Sequence, residues 1–262
     1  MVEVMTSDSI ITATLALKRS RFTTAFTGAG ISVESGIPSF RGSDGLWERY
    51  DPRALDLHYF MRDPAESWIV IKEIFYDFFG RAKPNAAHRV LARMEKEGML
   101  GRTITQNIDN LHQAAGSVII SEFHGNSQKL RCIQCYQEYH AREINLDQLP
   151  PTCAKCSGVL KPDFVFFGEA IPQLPLSEAY EAASLSDVFL IIGTTGEVMP
   201  ANQIPVMAKE YGATIIEVNP EPSNYTERIT DIYLQGRATE VMQKLETLLF
   251  SPALDDNKDG VD

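Results

Sequence analysis

The chain has 262 residues, 44% of them apolar and 23% charged, with a formal net charge of −11. That length supports a full hydrophobic core in one large or two closely joined domains, and the acidic balance disfavours nucleic acid as the main partner while favouring cationic ones such as lysine-rich peptides. No apolar run reaches the ~18 residues of a membrane span, and Lys18 and Arg19 follow the first apolar segment, the reverse of a secretory signal, so a cytoplasmic, reducing location is expected.

Ser7 to Ser20 predicts a first helix, capped by Ser7 or Asp8, with Ile10, Ile11, Leu15 and Leu17 as its apolar residues. Phe22-Thr23-Thr24-Ala25-Phe26 reads as a buried strand. It breaks at Gly28-Ala29-Gly30, where the missing Cβ atoms let backbone approach a ligand and a following helix start would aim N–H groups at phosphate. A dehydrogenase fingerprint would bring its third glycine sooner and an acidic residue ~20 positions on. Here Gly36 comes late, and Pro38-Ser39-Phe40-Arg41-Gly42 is a loop that would lay a ring and a guanidinium over a bound cofactor. That arrangement suits breaking the cofactor more than passing hydride.

From Gly45 to Gly80 the sequence is helical in character and rich in aromatic rings, which predicts a small helical insert with a core of its own. Asn85 opens a further helix, Ala86 to Glu97, ended by Gly98, with His88 at its start as a buried structural histidine. Four strands follow. Arg102-Thr105 ends on Gln106-Asn107-Ile108-Asp109, Val118-Phe123 on His124-Gly125, Asp187-Ile192 on Gly193-Thr194-Thr195-Gly196, and Thr214-Val218 on Asn219-Pro220. Strands alternating with helices predict an α/β fold with a doubly wound, parallel, Rossmann-like sheet, whose ligands bind beyond the carboxyl ends of the strands. The polar motifs fall at those ends.

Cys132-x-x-Cys135 is followed after 17 residues by Cys153-x-x-Cys156, a spacing that predicts a tetrahedral zinc site. Four thiolates leave no open position for water, so the zinc is structural. The predicted division is a nucleotide-binding domain from 1–44, 85–127 and 160–250, and a small domain from the helical insert 45–84 and the zinc module 128–159, with an acidic tail 251–262 expected to be disordered. Of five histidines, only His124 lies between a strand end and a glycine, where a neutral imidazole can act as a general base.

Phe26-Thr27-Gly28-Ala29-Gly30-Ile31-Ser32, Thr105-Gln106-Asn107-Ile108-Asp109-Asn110, His124-Gly125, the four cysteines and Phe166-Phe167-Gly168-Glu169 stand in the order found in sirtuins, and the chain resembles that family from about Ala25 to Ala238. The resemblance implies an NAD-dependent protein-lysine deacylase giving free lysine, nicotinamide and O-acyl-ADP-ribose. It implies His124 as base, with Asn107 and Asp109 orienting the nicotinamide carboxamide and ribose. Gln106 would face a ribose hydroxyl, and Gly28, Ala29, Gly30, Gly193, Thr194 and Thr195 would hold the diphosphate. Phe40, Arg41, Ile108, Asn219, Pro220 and Ala238 complete the implied NAD site. Val165, Phe167, Gly168 and Glu169 would line the acyl-lysine tunnel, the peptide pairing as a strand between them and Glu197-Val198. Mono-ADP-ribosyl transfer and a non-catalytic NAD-sensing or zinc-ribbon module are the alternatives.

Two departures stand out: Ser39 replaces the family's usual aspartate, and Gly196-Glu197 replaces a hydrophobic pair, which makes the peptide cleft more acidic. Family members that prefer succinyl or malonyl lysine carry Tyr-x-x-Arg in the insert. Counting back from Pro84-Asn85 sets Trp68-Ile69-Val70-Ile71-Lys72 at that place, with neither residue, so acetyl and longer aliphatic acyl groups are expected.

Overall fold

A computed structural model describes residues 7–40 and 45–251. Helix α1, Ser7–Arg19, leads into strand β1, Thr23–Thr27, every residue of which is buried. The chain then makes a 3₁₀ turn over Ala29–Ser35, closed by Gly36 at φ +89°. The expected α-helical start is replaced by this tighter turn.

The helical insert follows, with α2, Leu57–Arg62, α3, Pro64–Ile71, and a π-helical continuation over Lys72–Phe78. Asp56 and Asp63 cap α2 and α3 by accepting from the N–H groups of Tyr59 and Glu66. Helix α4, Ala86–Lys96, opens with a capping box in which Asn85 and His88 satisfy each other's backbone.

Strand β2, Arg102–Thr105, is followed by α5, Leu111–Ala115, and β3, Ile120–Glu122. The last is shorter than the expected Val118-Phe123, because Val118 is 82% exposed and its N–H is taken by Glu95 outside the sheet. Next come β4, Gly125–Cys132, β5, Glu138–His140, and β6, Leu160–Phe164. The chain closes with α6, Gln173–Leu185, β7, Val188–Ile192, α7, Gln203–Glu210, β8, Thr214–Asn219, β9, Ile232–Gln235, and α8, Ala238–Leu249. No helix among the described residues is long and apolar enough to cross a membrane.

The six-stranded sheet runs β3-β2-β1-β7-β8-β9 and is parallel throughout. On one face α1, α4 and α8 bury Leu17, Leu91, Met94, Val241 and Leu245 against Leu190 and Ile216. On the other, α6 and α7 cover Phe26, Phe189 and Ile215. The order of winding reverses between β1 and β7, and that switch opens a crevice at their carboxyl ends. The loops there touch: the Gly30 N–H donates to the Gly193 carbonyl at 2.8 Å, and a Cβ on Gly30 would sit 2.6 Å from the Gly193 Cα. The glycines at this turn are required by backbone meeting backbone, a constraint that ligand approach alone does not capture.

A smaller antiparallel sheet, β5-β4-β6, carries the cysteines. The helical insert does not close a core of its own, as its aromatics alone suggested. Phe60, Trp68, Ile71 and Phe75 pack into one cluster with Leu130, Cys132, Leu160 and Phe164 of the cysteine-bearing sheet. The Trp68 indole N–H donates to the Leu160 carbonyl at 2.8 Å, satisfying its one polar atom inside that core.

Candidate active site

Two cavities open beyond the strand ends. The first, about 350 Å³, is lined by Gly28, Ala29, Gly30, Gln106, Asn107, Gly193, Thr194, Thr195, Asn219 and Pro220. The second, about 230 Å³, is walled by Leu55, Phe75, Ile108, Phe164, Val165, Phe166, Phe167, Gly168 and Glu169. Phe40, Gln106, His124 and Val198 line both. The two spaces therefore meet at the His124 imidazole. Phe40 is held there by Trp47, whose N–H donates to the Phe40 carbonyl at 3.1 Å and whose ring centre lies 5.3 Å away.

His124 lies between β3 and β4, one residue past Phe123 and directly before Gly125. Its Nδ1 lies 3.0 Å from the Gln106 carbonyl, which can only accept, so Nδ1 carries the proton and the Nε2 lone pair is left as the base. Burial holds its pKa below the ordinary 6.5, with the bond to Gln106 opposing part of that shift. The imidazole is thus neutral at physiological pH.

Beneath the first cavity lies a buried polar network. The Asn107 amide donates to the Gly28 carbonyl at 3.1 Å and to Ser32 Oγ at 3.2 Å. Ser32 in turn donates to Asp109 at 2.7 Å, and the Leu111 N–H donates to the same carboxylate at 2.9 Å. Burial raises the Asp109 pKa, and these hydrogen bonds pull against the shift. His88 reaches Ser32 Oγ at 3.4 Å, and its ring meets that of His112 edge-on at 4.9 Å. His112 Nε2 contacts Thr27 Oγ1 at 2.9 Å. Side chains from β1, the 3₁₀ turn, α4, the loop after β2 and α5 are thereby locked to one another under the crevice.

Several expected positions fall elsewhere. Arg41 lies outside the described residues. Ile108 lines the second cavity and not the first, since alternate residues after β2 face opposite ways. Asp109 turns inward to Ser32, acting on the cavity through Asn107. Ala238 is packed in the core at the first turn of α8, away from both cavities. Glu197 does not line the second cavity, whereas its neighbours Val198 and Met199 do.

The insert's contribution to the second cavity also differs from the count along the chain. Phe75 reaches it, while Trp68 and Ile71 turn into the core and Lys72 pairs with Asp77 at 2.7 Å. Tyr76, beside Phe75, donates to the Ser127 carbonyl at 2.8 Å, and the residue three further on is Phe79. Missed by sequence reading were Val33, Glu221, Pro222 and Ser223, which also wall the first cavity, as does Ser39 of the loop expected to cover it. The Pro-Glu-Pro-Ser run directly after a strand end was the available signal for Glu221, Pro222 and Ser223.

The four cysteine sulfurs of Cys132, Cys135, Cys153 and Cys156 lie within 4.8 Å of one another, with 3.4 Å between Cys132 and Cys156 and 3.6 Å between Cys135 and Cys153. Four thiolates at about 2.3 Å from a zinc ion stand about 3.8 Å apart, so this donor set fits zinc. The N–H groups of Gln134 and Cys135 already point at Cys132 Sγ, at 3.4 and 3.5 Å. None of the four cysteines lines either cavity, and four thiolates leave no open position for chemistry.

A family model described as the Sir2 family matches residues 28–200. An NAD-dependent protein deacylase of Aeropyrum pernix is 50% identical over 235 residues, covering 87% of this chain and 93% of that protein. Among solved structures, one of Sir2 with a p53 peptide and NAD⁺ is 34% identical with a TM-score of 0.82, covering 88% of this chain and 94% of that one. A Sir2 histidine-to-alanine variant with deacetylated p53 peptide and 3′-O-acetyl ADP-ribose is 33% identical with a TM-score of 0.86, covering 90% and 96%.

Two outcomes follow from the burial of the histidines and from the thiolate cluster. Burial holds His88 down at about 4 and His112 at about 3, against 6.5 for the unfolded chain. Between those values and 6.5 the unfolded chain binds more protons, so stability present above pH 6.5 is lost as pH falls, by up to about 1.4 kcal/mol per pH unit for each histidine. Denaturant unfolding from pH 7 to 4.5 will show that decline, and it will be shallower in His112→Gln; equal slopes refute the assignment. Metal analysis will find about one zinc per chain, and Cys132→Ala will lose both the metal and the fold of the small sheet. A zinc-free, fully folded variant would refute the site.

Proposed function

Since the chain belongs to the Sir2 family, we propose that it transfers acyl groups from protein lysine to the ADP-ribose part of NAD. The overall conversion takes acyl-lysine, NAD and water to lysine, nicotinamide and O-acyl-ADP-ribose. One observation carries this reading: the His124 imidazole stands where a polar, glycine-lined cavity meets an apolar one. A base at such a junction can reach the reacting end of a dinucleotide and the tip of an acylated side chain together.

NAD supplies a ribose carbon whose nicotinamide can leave. The chain's own residues do the rest. Ala29, Thr194 and Thr195 offer backbone N–H and hydroxyl groups to the diphosphate, while the N–H groups of Gly28, Gly30 and Gly193 are donated to the carbonyls of Ile192, Gly193 and Val218 and hold the turn in shape. Asn219 and the Pro220–Ser223 wall receive the adenosine end. Asn107, held by Gly28 and Ser32, presents its amide to the nicotinamide end, and Asp109 fixes it from behind through Ser32. The ring of Phe40 closes the junction against water. His124 Nε2 accepts the proton of a ribose hydroxyl while Nδ1–H stays bonded to Gln106, which keeps the ring oriented as charge develops. The peptide lies between Gly168 and Val198, its acylated lysine entering past Phe167. Cys132, Cys135, Cys153 and Cys156 would hold a zinc that joins the two loops of the small-sheet module, and Cys132 and Cys153 pack in the same core as Phe75 and Phe164 of the acyl wall.

Direct assay of an acetyl-lysine peptide with and without NAD tests the reading. Turnover without NAD, or none with it, would refute it. In His124→Ala, NAD binding is retained and turnover falls ~10²-fold or more, the usual effect of losing a general base. Because burial lowers the His124 pKa, kcat/KM stays flat down through the ordinary imidazole range and falls only below it, where the base becomes protonated. An acid limb at or above 6.5 would contradict the geometry.

Acyl preference follows from the wall of the second cavity. Its one charged lining residue among those described is Glu169, which is paired with Lys161 at 2.9 Å. Lys161 is further tied to the carbonyls of Pro162 and Phe164, so no cation is offered to a distal carboxylate. Succinyl-lysine is accordingly disfavoured by ~10²-fold or more in kcat/KM against acetyl and butyryl on the same peptide. Succinyl winning that comparison would overturn the pocket assignment.

A further inference from the structure

Glu217 is the fully buried carboxylate of β8, and the reaction outlined above does not use it. It stands two residues on from Ile215, on the sheet face that α6 and α7 otherwise fill with apolar side chains. An acidic side chain inside that layer needs donors, and four side chains supply them. Asn219 donates to Oε1 at 2.8 Å and Ser223 at 2.6 Å; Thr226 bridges both oxygens at 3.1 and 3.0 Å; Thr230 donates to Oε2 at 2.6 Å. A carboxylate is the one side-chain group that accepts from so many donors at once.

Those donors are the loop from the end of β8 to the start of β9. Asn219 and Ser223 themselves line the first cavity, together with Pro220, Glu221 and Pro222 between them. The same Asn219 amide also donates to the Thr194 carbonyl at 3.1 Å, which joins this loop to the one after β7. Thr226 and Thr230 lie behind the wall. A turn with two prolines and no regular structure would otherwise be free to take many shapes.

We propose that Glu217 is a positioning residue for the dinucleotide: it gathers the Asn219–Thr230 loop from behind and so presets the wall that receives the adenosine end. The inference rests on the NAD reading above. Glu217 touches no substrate. It acts through Asn219 and Ser223, and its loss is felt in dinucleotide affinity ahead of chemistry.

The test uses the full-length, zinc-loaded chain with ADP-ribose as the probe, by calorimetric titration, alongside steady-state kinetics with an acetyl-lysine peptide. In Glu217→Leu, the Kd for ADP-ribose and the KM for NAD rise about tenfold or more, while kcat stays within about twofold and the peptide KM does not move. Glu217→Gln, whose amide still accepts from Asn219 and donates to Thr230, recovers most of the affinity. Thr230→Val, remote from the cavity, weakens ADP-ribose about threefold and keeps the test decisive where the leucine variant does not fold. Unchanged ADP-ribose affinity in the folded variants overturns the inference, as does a fall in kcat and peptide affinity as large as that in NAD affinity. If the wild-type chain fails to bind ADP-ribose, the NAD reading itself falls; wild-type binding with indifferent variants removes only the role of Glu217.

Discussion

Everything at the active end of this molecule depends on two loops meeting backbone to backbone where the sheet reverses its winding. The Gly30 N–H to Gly193 carbonyl bond, at 2.8 Å, closes β1 against β7, and a Cβ on either glycine would collide with the other loop. Gly193 is also held at φ +64°, a conformation that glycine adopts without strain. With those loops in contact, one continuous floor of backbone and small side chains lies under the first cavity. Larger residues would part the strand ends and dissolve that floor.

Below the floor, buried polar groups pair with one another across several segments, with His112 Nδ1 left without a partner. Thr27, His112, His88, Ser32, Asn107 and Asp109 come from five segments, yet they form one connected set. Buried polar groups without partners are costly, so such a set fixes a single arrangement more firmly than apolar packing would. On the other side of the crevice, Glu217 and its four donors do the same for the Asn219–Thr230 loop. The cavity is thus held between two polar clamps, one from each half of the sheet.

The acyl side is built on a different principle. Its wall is aromatic, and its rigidity comes from a core shared by the insert and the cysteine-bearing sheet, in which Phe75 and Phe164 lie 4.9 Å apart. Cys132 and Cys153 of the cysteine cluster are part of that shared core, so a metal held by the cluster would stabilise it. Among the described residues, His124 is the one titratable group that lines both cavities. Its neutral state follows from burial and its orientation from a single carbonyl.

The sequence by itself determined the parallel sheet, the strand ends that carry the motifs, the clustered cysteines and the histidine where the two cavities meet, because each is written in a short stretch: an apolar run, a fixed spacing, a histidine before a glycine. It did not reveal β9, whose Ile232-Tyr233-Leu234-Gln235 is too brief and mixed to stand out, or that Val118 lies outside β3. It set Trp68 to Lys72 against the acyl pocket, where Phe75 stands instead, since a count along the chain ignores which face of a helix meets the core. It offered Asp109 and Ala238 as cofactor contacts, whereas one bonds inward to Ser32 and the other packs under α8. These were decided by tertiary structure alone. Gly30 and Gly193, or Glu169 and Lys161, or Asn107 and Gly28 acquire their meaning only when distant segments touch, and no local pattern encodes which atoms will be within three ångströms of each other.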